Sequence, residues 1–139
     1  MLQPDHFNQI STDHLPGHLG IVVTQVGPSE LRTKIPIKKA LMAPNDFLHA
    51  GSVVALADTA ADYGCVANLP EGATGFTTLE LKSNHLGTAR EDTVDCIAKA
   101  AHLGWTTQVW DAMVTHRESG KALALFRCIQ MVLYAKPGA

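Results

Sequence analysis

Gly51 and Asp58 stand seven residues apart in an otherwise largely apolar run. If that run is helical, seven residues make nearly two turns, so both face much the same way. The start of a helix carries unpaired N–H groups and the positive end of the peptide dipoles, and both polarise a carbonyl oxygen placed there. Gly51, with no side chain, lets such an oxygen come close. Asp58 brings a carboxylate among Leu56, Ala57, Thr59 and Ala60. Burying a lone carboxylate is costly, so it needs a partner or a task. The task would be that of a general base or a nucleophile. Seven residues rise about 10.5 Å at 1.5 Å each, too far for one carbonyl carbon to touch both. If both act on one carbonyl, they come from different chains, as two antiparallel helices across a two-fold axis would arrange twice over. The alternative is that Asp58 simply bonds to a neighbouring backbone group, to Thr59 or to a strand.

Asp62 lies one helical turn beyond Asp58. A like charge at that spacing favours the protonated form of one of them. Asp62 therefore either alters base strength and binds water, or sits at the solvent edge. His49 immediately precedes the run, where an imidazole either holds the turn or touches a reacting group. Asn45, in the turn Pro44-Asn45-Asp46, either offers its amide to a carbonyl or is a plain turn residue. Cys65, seven residues past Asp58, reads as core. No metal set is expected: His14 and His18 have Pro16 and Gly17 between them, and no carboxylate–histidine ligand set follows. His102 and His116 read as interface or surface residues. The run also lacks the strand–turn–helix context of a serine nucleophile, and there is no phosphate-cradling glycine loop.

The elements that must hold these residues are legible in outline. Residues 1–17 read as a loose N-terminal arm with a short helical turn near residues 5–10, ahead of a single domain over residues 18–136. Residues 18–26 and 30–37 read as a hairpin around Gly27-Pro28-Ser29. In the second strand Leu31, Thr33, Ile35 and Ile37 alternate with Arg32, Lys34 and Pro36. From residue 48 to about residue 66 there is no proline and many alanines, a helix apolar on most of its circumference, which belongs in the centre of something. Four strands in meander follow, over residues 76–86, 93–103, 105–116 and 122–133. One long helix and six strands form an α+β domain, a curved antiparallel sheet wrapped around the helix.

Composition narrows the function classes. The 139 residues are 46% apolar and 17% charged, enough for one domain with a real core. Eleven basic and thirteen acidic side chains give a net charge of -2, which excludes a binder that reads nucleic acid by charge. The three cysteines, Cys65, Cys96 and Cys128, are too few and too scattered for a disulfide framework. They fit free thiols in a reducing compartment. With no secretory leader and no apolar stretch long enough for a membrane span, a cytoplasmic protein is expected, with neither membrane nor nucleic acid as partner.

His49-Ala50-Gly51-Ser52 at the helix start, Leu56-Ala57-Asp58-Thr59-Ala60 in its middle and the strand LELKSNHL over residues 79–86 resemble the hotdog fold. More narrowly they resemble its acyl-CoA thioesterases of the phenylacetate-pathway and 4-hydroxybenzoyl-CoA branch. The likeness covers roughly residues 18–134. Gly51 matches the second glycine of the family's His-Gly-Gly, Ala50 replaces the first, and Asp58 matches the carboxylate. The resemblance implies hydrolysis of an acyl-CoA thioester, with Asp58 as general base or nucleophile and the Gly51 N–H polarising the carbonyl. It implies a site shared across a homodimer, often doubled to a homotetramer. It makes His49 the residue that orients the helix start and Thr78 the hydroxyl that holds the attacking water. A strand threonine chosen for its branched shape is the alternative for Thr78. The resemblance also places Lys82, Asn84, His85 and Arg90 beside the pantetheine tunnel, with an ordinary solvated-face lysine as the alternative for Lys82. Coenzyme A is then part of the substrate, and no separate cofactor is expected. Two other functions fit the same fold. A hydratase or dehydratase would use His49 and Asp58 as its acid/base pair, and a non-catalytic acyl-CoA binder would not need Asp58 for turnover.

Overall fold

The computed structural model describes residues 1–137. Two short helices, α1 (Pro4–Ser11) and α2 (Leu15–Leu19), lead into strands β1 (Val22–Gly27) and β2 (Glu30–Pro36). The long helix α3 (Ala50–Ala67) follows, then β3 (Ala73–His85), β4 (Thr93–Leu103), β5 (Thr107–His116) and β6 (Ala122–Tyr134). All six strands form one antiparallel sheet in the order β1-β2-β4-β5-β6-β3. The central helix and wrapped sheet are those that the sequence implies.

Alternation along the strands sets which face meets the helix. Leu31, Thr33 and Ile35 of β2, Val94, Cys96 and Ala98 of β4, and Trp110, Ala112 and Val114 of β5 are buried in turn. So are Ala124, Phe126, Cys128 and Gln130 of β6. Against them α3 buries Val53, Leu56, Ala57, Ala60, Ala61 and Gly64. The helix comes so close at Gly64 that an added Cβ would stand 2.7 Å from the Trp110 ring. Its end is pinned by Asn68, whose Nδ2 donates to Gly64 O at 2.8 Å and whose Oδ1 accepts from Ser29 N at 3.0 Å.

Three expectations change. The last four strands are not a simple meander: β4, β5 and β6 are, but β3 pairs with β6 at the far edge, and β2 pairs with β4. The crossing comes after the helix: α3 ends beside the β1–β2 turn, where Asn68 bonds Gly27 O and Ser29 N, and the link over residues 68–72 carries the chain to the far edge. The first strand begins at Val22 rather than four residues earlier. Pro16 opens α2, and Gly20, at φ +86°, ends it. The N-terminal segment is no loose arm. Phe7 is fully buried, its ring 4.7 Å from that of Tyr63, and the Ser11 and Tyr63 hydroxyls share a 2.7 Å hydrogen bond.

Candidate active site

The start of α3 is built around His49, its N-cap. His49 Nδ1 accepts from the Gly51 N–H at 2.7 Å, while its carbonyl accepts from Ser52 N at 2.9 Å. An imidazole nitrogen that accepts carries no proton, so His49 is the Nε2–H tautomer, with that N–H free to face a ligand. Gly51 has a structural reason beside any catalytic one: a Cβ there would meet His49 Nδ1 at 2.9 Å. Ser52 Oγ donates to Leu41 O at 2.8 Å and ties the helix start to the preceding loop. Asn45 is a turn residue within this chain, its Oδ1 accepting from Phe47 N at 3.1 Å. Its amide N–H groups remain exposed.

Two turns on, Asp58 is half-buried, yet its Oδ1 is buried without a hydrogen-bond donor. Burial raises its carboxyl above the usual range, and the neighbouring Asp62 carboxyl partly offsets this. Asp62 is pushed up to about 7, first by burial and then by the charge on Asp58. Gln130 Nε2 donates to Asp62 Oδ1 at 3.1 Å, and the Thr78 hydroxyl lies close enough to favour the charged form of Asp62. Thr78 and Gln130 face each other across the β3–β6 ladder. Thr78 is thus brought to the carboxyl pair, whereas its neighbour Thr77, opposite Met131, takes the other face. Cys65 and Cys128 flank the pair. Burial and the nearby carboxylates push Cys65 up to about 12 and Cys128 higher, so both stay neutral thiols, not nucleophiles.

The candidate coenzyme contacts divide. His85 pairs with buried Ala124 and so lies on the helix side of β3, while Lys82 and Asn84 alternate to the outer face. Arg90 belongs to the β3–β4 loop, its guanidinium 4.2 Å over the Phe47 ring. That loop is joined to the helix start by the Leu48 N–H, which donates to Ala89 O at 2.8 Å. A separate trio, Asp92, His116 and Glu118, brings ligand atoms within 4.8 Å of one another at the surface. Two of its side chains are already engaged: Asp92 Oδ2 accepts from Glu118 N, and His116 bonds Ser119 Oγ and Glu91 O. No helix among the described residues is long and apolar enough to cross a membrane.

One site residue escaped the sequence reading. Gln130 is fully buried in an apolar strand. The signal was its phase: it alternates with Ala124, Phe126, Cys128 and Val132, so an amide was bound to point at the helix.

Comparison with known proteins agrees with this fold. The model of the thioesterase superfamily matches residues 45–123, from Asn45 through α3 and β3 to the start of β6. The 1,4-dihydroxy-2-naphthoyl-CoA hydrolase of Listeria monocytogenes is 31% identical over 110 residues, covering 79% of this chain and 88% of its own. Its Escherichia coli namesake is 32% identical over 106 residues, covering 74% and 75%. Among solved structures, a thioesterase of Haemophilus influenzae superposes with a TM-score of 0.91 at 26% identity, over 100% of this chain and 96% of that one. The PaaI protein from the E. coli phenylacetic acid degradation operon has the same fold, with a TM-score of 0.82 at 21% identity over 96% and 93%. With a matching family model, a matching fold and a carboxylate on the central helix, the chain belongs to the thioesterase superfamily, as a hotdog-fold acyl-CoA thioesterase.

Proposed function

We propose that Asp58 is the general base or nucleophile that cleaves the thioester, working with the start of α3 of a second copy of the chain. The observation that carries this is Asp58 itself, a carboxylate on an apolar helix with one buried oxygen that no donor reaches. With that oxygen held inside, the half-buried carboxylate is left with a raised basicity that suits it to attack or to take a proton from water. The thioester oxygen goes to the helix start, where it replaces His49 Nδ1 as the acceptor of the Gly51 N–H and the dipoles of α3 favour the developing charge. Thr78 steadies the water, and Asn45 offers its free amide at the rim.

The two halves of this site lie about 10.5 Å apart along one helix, so a two-fold dimer has to bring them together. The edge of β3 supports that assembly. It ends the sheet, it is exposed on both faces over most of its length, and Leu79 and Leu81 are solvent-facing there. A long open edge of this kind is ordinarily covered. A dimer of dimers is compatible with the same contact.

The pantetheine arm enters past His85 and Arg90, with Lys82 and Asn84 on the outer side of the same strand. Two relatives are named for hydrolysis of an aromatic acyl-CoA, and an aromatic acyl group is therefore the first to try. The deciding experiment measures release of the coenzyme thiol from aromatic and aliphatic acyl-CoA thioesters by the wild type and by Asp58→Asn. The variant should fold, bind coenzyme A and lose about 10²–10⁴ in single-turnover rate. Near-wild-type hydrolysis by a folded Asp58→Asn protein would reject the assignment.

A further inference from the structure

Asp62 stands one turn from Asp58, and no cation stands by either among the described residues. The groups that face the pair are the Cys65 thiol from α3, Cys128 and Gln130 from β6, and Thr78 from β3. Gln130, fully buried, gives an N–H to Asp62 Oδ1 and so fixes that oxygen as an acceptor. Asp58 Oδ1 receives no hydrogen bond from any N–H or hydroxyl. Asp58 and Asp62 stand at i and i+4 on α3, a spacing that sets their carboxyls side by side. Two carboxyls held together in a half-buried site share one negative charge, with a proton between them.

We propose that Asp62 is a positioning residue: it keeps its proton beside Asp58, donates a hydrogen bond to the Asp58 carboxylate, and holds the pair at a single negative charge until Asp58 attacks or takes its proton. The inference rests on Asp58 as the group that attacks or takes the proton, and it says how this chain keeps Asp58 aligned. A hydroxyl at position 62 would donate at every pH. An aspartate donates only while protonated, so the alignment is pH-dependent. Burial and the Asp58 charge put that loss at about 7. Above it, two unpaired negative charges repel in a half-buried site and turn Asp58 from its line of attack.

The test is the pH profile of kcat and kcat/KM for acyl-CoA hydrolysis by the wild type, Asp62→Asn, Asp62→Ala and Asp58→Asn. The wild type should lose kcat as pH rises through about 7 with little change in KM. Asp62→Asn, whose amide donates at every pH, should stay within about tenfold of wild type at pH 6 and lose the alkaline limb. Asp62→Ala, with no donor, should lose kcat at every pH. Infrared spectra of the wild type should carry a protonated-carboxyl band that titrates over the same range and is missing from Asp62→Asn. A wild type without that band overturns the proposal even if no Asp62 variant folds. Asp58→Asn keeps two failures apart. If it is fully active, the site itself is wrong. If it is inactive while Asp62→Asn reproduces the wild-type profile, only the shared proton is wrong.

Discussion

His49 and Gly51 are locked together at the start of α3: the Gly51 N–H donates to His49 Nδ1 at 2.7 Å, and a Cβ on residue 51 would stand 2.9 Å from the same nitrogen. The ring folds back on the helix only because residue 51 has no side chain. Gly51→Ala should therefore push the imidazole off its cap. The expected cost is about 0.5–2 kcal/mol, the usual range for a lost N-cap, with a fall in kcat as the helix start loosens. His49→Asn should keep the stability, since asparagine is itself a strong cap, while removing the Nε2–H. Urea unfolding and coenzyme release on the two variants separate the capping role of His49 from any contact with substrate. Equal stability loss in both would show that the cap is not what the imidazole supplies.

Gly64 plays a different part, letting α3 lie directly on the sheet. An added methyl there would meet three Trp110 ring carbons at 2.7, 2.8 and 3.1 Å. Trp110 is fully buried and its Nε1–H is fixed on Gln108 Oε1 at 2.8 Å, so the ring has little freedom to retreat. Gly64→Ala should destabilise the protein by about 1–3 kcal/mol through overpacking, outweighing the better helix propensity of alanine. Denaturant unfolding followed by tryptophan fluorescence reads both the stability and the displaced ring.

Asp62 also makes stability fall as pH rises. Its carboxyl titrates at about 7 in the folded chain against an ordinary 3.8. Between those values the folded state binds the proton and the unfolded state has released it. The stabilisation is fully present below about pH 4 and is lost as pH climbs to about 7. Asp58, raised for the same reason of burial, acts in the same direction. Asp62→Asn should therefore gain on the wild type as pH rises through this window, with the Tm difference level above it. Tm curves that run parallel from pH 4 to 8 would mean Asp62 is ionised throughout.

The parts of this site that can be read from the sequence are those set by local spacing. Gly51, Asp58 and Asp62 fall on one helix because residues 50–67 contain no proline and have apolar residues on nearly every side. The strands follow from alternation, and four of the six both begin and end within two residues of where alternation starts and stops. The order of the sheet was not legible, because β3 meets β6 about fifty residues away and nothing local specifies that register. Nor was α2, whose five residues are too few for a helical period to develop. The His49–Gly51 lock depends on the direction of an imidazole at a cap. The docking of Phe7 on Tyr63 depends on a surface that exists only once α3 is in place.

The divided site makes a prediction that no single-chain site can share. Asp58→Asn removes the carboxylate and leaves the helix start intact, while Gly51→Val spoils the helix start and leaves the carboxylate. Each variant should be inactive alone. If each site takes Asp58 from one chain and the helix start from the other, a mixed dimer contains one site with both defects and one with neither. Equal amounts of the two variants, unfolded together and refolded, give mixed dimers as half of the population. With one working site of two in each, the mixture should recover about a quarter of wild-type activity per chain. Mixing without exchange should recover none, and sedimentation checks that dimers have re-formed. A mixture that refolds to dimers yet stays as inactive as its components would place both groups of each site on the same chain, and the two-fold arrangement would have to be abandoned.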